Sequence, residues 1–184
     1  MAEPVTAEEA ADIVPGDFAE IVRRHQSMVF SIALHFLADP PAAEELAQDV
    51  FMQLHAKLSS LESPDHVVFW LRKVTSHRCI DHKRRRRMPQ VSLEEVPESA
   101  ELDFSPAVQP ADPFLARRLR QLVASLPGKA RLIVILRFQE DLSPEEIADV
   151  LETPVATVRS HLQRALAMLR EKVIRTMGEM RSEK

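Results

Sequence analysis

The chain has 184 residues, 45% of them apolar and only three glycines, a balance that suits a helical core and argues against a turn-rich β protein. Its single cysteine, Cys79, rules out an internal disulfide and leaves too few thiols for a cysteine-based zinc site; no apolar run is long enough to span a bilayer. The net charge of −4 is unevenly spread: residues 88–112 hold six acids and no base, residues 113–184 hold 13 bases against 9 acids, and residues 72–87 hold eight bases against one acid.

The chain opens on an acidic tail, residues 1–15, without the basic-then-apolar order of a secretion signal, so the cytoplasm is the expected compartment. Helices are expected near residues 17–25 and 26–37, with a break at Asp39, Pro40 and Pro41. A third runs over about 42–58. Its Ala43, Leu46, Val50, Leu54 and Leu58 form an apolar stripe, and Glu45, Gln48, Asp49 and Met52 a second, mostly acidic one. The segment SSLESPDH reads as a loop whose Ser63 and Pro64 start the next helix, which continues to about residue 86. Val67, Trp70, Leu71 and Val74 share its inward register, which makes Trp70 a core residue rather than a platform for unpaired bases. Residues 88–112 are rich in proline and acid and lack periodicity, which marks a linker between two small helical domains, 16–87 and 113–176, with a short tail at 177–184.

The second domain starts with PFLARRLRQLVASL and PGKARLIVILRFQ and then carries the most informative segment of the chain, residues 143–170. In SPEEIADVL, Ser143 is placed to cap a helix, Pro144 suits its first turn and Glu146 completes a capping box. Thr153 and Pro154 repeat the cap-then-proline signal before VATVRSHLQRALAMLR. Val158, Leu162, Ala165 and Leu169 recur at helical spacing and face a core. Thr157, Arg159, Ser160, His161, Gln163 and Arg164 remain on the other faces, where they can bond phosphates and base edges. A helix of this width fits the major groove, so the segment reads as a DNA-binding helix-turn-helix.

Three segments in series resemble the extracytoplasmic-function sigma factors, the compact class of bacterial RNA polymerase specificity subunits: AEELAQDVFMQL, FWLRKVTSHRCIDHKRRRRM, and the run from LPGKARLIVILRFQ through the helix-turn-helix. The resemblance implies an all-α, two-domain fold with no catalysis and no cofactor, and core RNA polymerase, promoter DNA and an anti-sigma factor as partners. It implies that Glu45, Gln48, Asp49, Phe51 and Met52 dock on the polymerase. It assigns the minus-ten element to the loop with Ser59, Ser60, Leu61 and Ser63 and to the helix bearing Ser76 and His77. Lys83, Arg84, Arg85, Arg86 and Arg87 would grip phosphates. The minus-thirty-five element falls to Thr157, Arg159, Ser160, His161, Gln163 and Arg164. In the free protein the two domains are expected to pack over their own DNA faces. The chain departs from the family pattern at Asp141, Glu152 and Ala156, where glycine is usual, and at His77 and Arg78.

Two other readings compete. A free-standing regulator could use the same helix-turn-helix as a dimer on a palindrome, but it would have no use for the acidic helix face or the long tether. A helical enzyme could use His77, Asp81 and His82 as a metal or general-base site. No zinc motif, phosphate-binding glycine loop or nucleophile elbow accompanies them, and five consecutive bases beside them favour a phosphate-contacting surface.

Overall fold

The computed structural model describes residues 17–87 and 113–182; the N-terminal tail, the acidic linker and the last two residues lie outside the described residues. The described elements are all helical: α1 (Phe18–Leu37), α2 (Pro40–Lys57), a 3₁₀ turn (Leu58–Ser60), α3 (Pro64–Arg87), α4 (Pro113–Ala124), α5 (Gly128–Phe138), α6 (Pro144–Leu151) and α7 (Val155–Ser182). The two helices expected before residue 38 are one continuous α1, because nothing between His25 and Gln26 breaks the hydrogen-bond ladder. Asp17 caps it, accepting from the Ala19 N–H at 3.1 Å. Asp39 caps α2 through the Ala42 N–H at 3.2 Å with Pro40 in the first turn, so α2 starts two residues before its expected position.

The apolar stripes do what their spacing predicts. Ala43, Leu46, Val50 and Leu54 of α2 are buried, as are Val67, Leu71 and Cys79 of α3, while Trp70 and Val74 pack partly buried against the same core. Burial pushes the Cys79 thiol far above its ordinary pKa, which leaves an inert packing residue. In α5, Leu132 to Leu136 are all buried. This central stretch must be covered on every side, and it is, by α1 and α3 on one flank and by α4, α6 and α7 on others, while Lys129 and Phe138 at the two ends of α5 are exposed.

That central helix joins the two halves. Ile21, Val29 and Phe36 of the first half and Leu132, Ile135 and Ile147 of the second belong to one hydrophobic cluster. A smaller cluster of Leu126, Ala130, Val134 and Ala165 is internal to the second half. At the seam, Arg131 of α5 donates to the Phe36 carbonyl at 2.6 Å, in the last turn of α1, where carbonyls lack helical partners. Its guanidinium also lies 5.8 Å from the Phe36 ring centroid, with Lys83 of α3 at 5.7 Å from the same ring.

The helix-turn-helix is built as its sequence indicates, with one shift. Ser143 Oγ accepts from the Glu146 N–H at 3.2 Å and Glu146 Oε2 accepts from the Ser143 N–H at 2.7 Å, a complete capping box. At the other end of α6, Glu152 is left-handed (φ 49°, ψ 46°), its N–H reaches Asp149 O, and the Thr153 N–H returns to Ala148 O at 3.0 Å. This is the Schellman pattern, which glycine usually fills. Asp141 is also left-handed, at φ 53°. Both departures from glycine therefore keep the glycine-type backbone. Thr153 does not cap α7: its hydroxyl donates back to Leu151 O at 3.0 Å, and the Pro154 carbonyl accepts the first N–H groups of α7.

Two outcomes follow from these contacts. Replacing Arg131 with alanine removes a charged hydrogen bond to a helix-terminal carbonyl and should lower unfolding free energy by about 1–3 kcal/mol in urea titrations. Lysine should recover only part, since its point charge cannot reproduce the planar fork. The second concerns acid. The bond from the Ser143 backbone holds the Glu146 carboxyl below its ordinary range. A carboxyl depressed in the folded state stabilises above its unfolded pKa, and that stabilisation disappears as pH falls through the folded value. Melting temperatures followed from neutral pH down to pH 3 should therefore drop more steeply for the natural chain than for Glu146→Gln.

Candidate nucleic-acid and polymerase interfaces

Four surfaces carry the residues singled out in the sequence. On α2, Glu45, Gln48 and Asp49 are exposed and Met52 is 71% exposed, although it is a large apolar side chain. Phe51 is half-buried against the core. Glu44, Gln48, Phe51 and Met52 line an open groove with Phe18, Val22 and Phe30 of α1. Glu44 is the one acid that lines this groove; Glu45 and Asp49 lie exposed on α2 outside it, and an uncovered apolar floor of this kind is compatible with a protein-binding surface.

On α7, Thr157, Arg159, Gln163 and Arg164 are exposed, and Ser160 and His161 are half-buried. The opposite face is anchored by Val158 and Ala165, both fully buried, and by Leu162 and Leu169. Arg159 is paired with Glu145 of α6. Arg164 donates to Ser160 Oγ one turn back. The two guanidiniums thus lie on exposed side chains, Arg159 with one nitrogen on the Glu145 carboxylate and Arg164 with two on the Ser160 hydroxyl.

The loop and the N-terminal part of α3 are less uniform. Ser59 and Ser60 are exposed, and Ser60 Oγ donates to Lys57 O at 2.7 Å. Ser63 is occupied as the cap of α3, accepting from the His66 N–H at 3.1 Å. Leu61, expected on a DNA-contacting loop, is instead buried at 4% exposure, because the 3₁₀ turn that precedes it aims the side chain into the core. Ser76, expected on the promoter-facing side of α3, is also fully buried, and its Oγ has no hydrogen-bond partner among the described residues. It sits on the stripe with Arg72 and Lys83, which the second half covers: Arg72 Nε meets Glu140 at 3.3 Å and the Lys83 stem lies against Gly128.

The C-terminal part of α3 keeps its positive face. Arg84, Arg85 and Arg86 are exposed, and Arg86 reaches Asp39 at 3.5 Å. The side chain of Arg87 lies outside the described residues. His77 is half-buried, its Nε2 3.7 Å from Glu152, and the same carboxylate accepts from Lys73 Nζ at 2.9 Å. The Lys73 bond and charge, and after them His77, hold the Glu152 carboxyl below its ordinary range. Among the described residues no three His, Cys, Asp or Glu side chains come together in a metal-binding group.

The expectation that both DNA faces are covered in the free chain is half met. Helix α6 packs along α3, but the outer face of α7 stays open to solvent. What the sequence reading missed is the seam itself: Lys73, Arg131, Glu140 and Glu152 were not singled out as contact residues. The signal available was the glutamate in a turn that ordinarily holds glycine.

Comparison with known proteins agrees with this geometry. Residues 21–88 match the model of sigma-70 region 2, and residues 116–169 match sigma-70 region 4. The chain is 32% identical over 158 residues to the RNA polymerase sigma-E factor of Streptomyces coelicolor, covering 86% of each. It is 25% identical over 165 residues to the ECF RNA polymerase sigma factor SigW of Bacillus subtilis, covering 85% of this chain and 88% of that one. It spans only 40% of the length of another relative, a protein of Xanthomonas campestris named as a probable RNA polymerase sigma factor, at 29% identity. In fold it is similar to the sigma factor RpoE of Bartonella quintana in complex with the anti-sigma factor NepR, with a TM-score of 0.63 at 22% identity, over 84% of this chain and 95% of that one. CnrH, bound to the cytosolic domain of CnrY, gives a TM-score of 0.62 at 22% identity, over 91% and 94%. With sigma-70 regions 2 and 4 matched in order and full-length relatives named as sigma factors, the chain belongs to the extracytoplasmic-function group of the sigma-70 family of RNA polymerase sigma factors.

Proposed function

We propose that this sigma factor docks on core RNA polymerase through the α2 groove and reads a two-part promoter, α7 taking the minus-thirty-five element and α3 with its preceding loop the minus-ten element. It works without catalysis of its own, in the cytoplasm, and an anti-sigma factor is its regulatory partner. The domain limits that go with this reading are 16–87 and 113–176. The observation that carries it is the pair of outward faces, Glu45/Gln48/Asp49/Met52 on α2 and Thr157/Arg159/Gln163/Arg164 on α7. Each is anchored by a buried stripe on its own helix, so each is rigid yet uncovered. No described helix is long and apolar enough to cross a membrane.

Within the recognition face, Arg159 and Gln163 lie one turn apart and can approach neighbouring bases. Arg159 leaves its single charge-assisted bond to Glu145 for a two-pronged contact with guanine. Arg84 and Arg85 contribute sequence-independent phosphate contacts.

Run-off transcription with purified core polymerase tests the assignment directly, and selected promoters supply the sequence. Arg159→Ala should reduce discrimination at one or two positions of the minus-thirty-five element by about 1–3 kcal/mol. An equal loss on every sequence would make Arg159 a phosphate contact instead. The double change Gln48→Ala with Asp49→Lys should abolish co-purification with core polymerase while the circular dichroism spectrum is retained, since both side chains are off the buried stripe. Undiminished co-purification would move the docking surface off α2.

A further inference from the structure

Lys73 and His77 stand one turn apart on α3, so their side chains share a face and can close on a single anion. In the structure that anion is internal: Glu152 offers one carboxylate oxygen to Lys73 at 2.9 Å and the other to His77 at 3.7 Å. All three side chains remain partly open to solvent, so the carboxylate is exchangeable. Beside them, Phe69, Trp70 and Arg78 line a cleft that Gln53, His66 and Asp81 complete. An ammonium and an imidazole N–H in a cleft that also holds the exposed Phe69 ring match a nucleotide, whose phosphate takes Lys73 and His77 while its base meets Phe69.

Glu152 is also a costly residue for its position. It is the left-handed residue of the Schellman turn that ends α6, where glycine would close the same hydrogen bonds without the clash of a Cβ. The turn has no need of a glutamate. What the side chain adds is the contact across the seam to α3, next to the Arg72–Glu140 pair.

We propose that Glu152 is an internal substitute for a promoter phosphate: it occupies a Lys73–His77 site that takes the backbone of the minus-ten strand, and it thereby holds the helix-turn-helix module on α3 until DNA or polymerase displaces it. This rests on the reading of α3 as a promoter-contacting helix. It extends that reading by naming Lys73 as a phosphate ligand and Glu152 as the latch that masks it.

The test uses the full chain and a random-sequence 20-base-pair duplex, because a phosphate site needs no particular sequence. Dissociation constants are measured by fluorescence anisotropy across a salt series. Glu152→Gln should tighten binding about two- to fivefold, the range of a partly exposed ion pair. It should also steepen the salt dependence by about one to two phosphate contacts, at a slope of about −0.9 each. Glu152→Gly, which relieves the backbone as well, should do the same and melt no lower than the natural chain. Adding Lys73→Gln to either variant should cancel the gain, and small-angle scattering should show both single variants larger than the natural chain. Asp149→Asn, an equal change of charge on the exposed side of α6, should do none of this. Two results overturn the proposal in different ways. A gain from Glu152→Gln no larger than that from Asp149→Asn removes the latch and leaves α3 as a DNA helix. A salt slope that Lys73→Gln does not reduce in the Glu152→Gln background removes the phosphate site, and with it the reading of α3 at this point.

Discussion

The arrangement of this molecule depends on the centre of α5, Leu132 to Leu136, being buried on all sides. A helix that reads Leu-Ile-Val-Ile-Leu at its centre cannot be left with one face in water, and α4, α6 and α7 together do not cover it. The uncovered side is filled by α1 and α3, so the hydrophobic demand of one helix in the second half pulls the first half against it. Arg131 fixes the register of that contact. It is the polar residue of α5 at the seam, its burial opposes its charge, and the Phe36 carbonyl at the end of α1 supplies the compensating bond.

Within each half, the sequence is legible because local signals and burial agree. Ser143, Pro144 and Glu146 announce the start of α6 and form the expected box; the stripe through Val158 and Ala165 announces the buried side of α7 and is fully buried. The family resemblance added order and roles to segments that spacing alone would leave as unassigned amphipathic helices. What could not be read was whatever depends on the other half. Ser76 has the composition and neighbours of a surface residue of a basic helix, and only the approach of α5 and α6 buries it. Leu61 fails for a smaller reason: a single turn of 3₁₀ helix rotates it inward, and one turn leaves no periodicity in a sequence. Thr153 and Pro154 carried a sound cap signal that was offset by one residue, because the threonine hydroxyl found a nearer acceptor at the end of α6.

The seam is uneven in kind, and this bears on how it opens. Its centre is apolar, around Phe36, Leu132 and Ile135, but its α3–α6 edge is polar: Arg72 meets Glu140 largely shielded from solvent, and beside them Lys73 and His77 meet Glu152 with all three side chains partly open. Apolar contact sets how strongly the halves hold together, whereas ion pairs at an exposed edge contribute little net stability and are weakened by any competing polyanion. DNA is such a competitor, with phosphates dense along its axis and counterions to release. The edge of the seam along α3, the helix proposed to contact the promoter, is therefore also the edge most easily exchanged for nucleic acid.

That asymmetry gives the proposed functions an order. The α2 groove and the outer face of α7 are open while the halves are packed, so polymerase docking and a first encounter with duplex need no rearrangement of the chain. Helix α3 is different, because α6 lies along it and the Glu152 carboxylate sits on Lys73 and beside His77. A promoter spreads its two elements along the duplex, so a chain that reads both as proposed must move α7 away from α3, and 25 residues between 87 and 113 supply enough contour length for that separation. On the proposed reading the two steps are coupled: a displacement that carries α7 to its own element also withdraws Glu152 from Lys73 and His77. Reading the distal element and uncovering the proximal one become a single movement, and a chain that has not yet made it keeps its most basic helix occupied by its own acid.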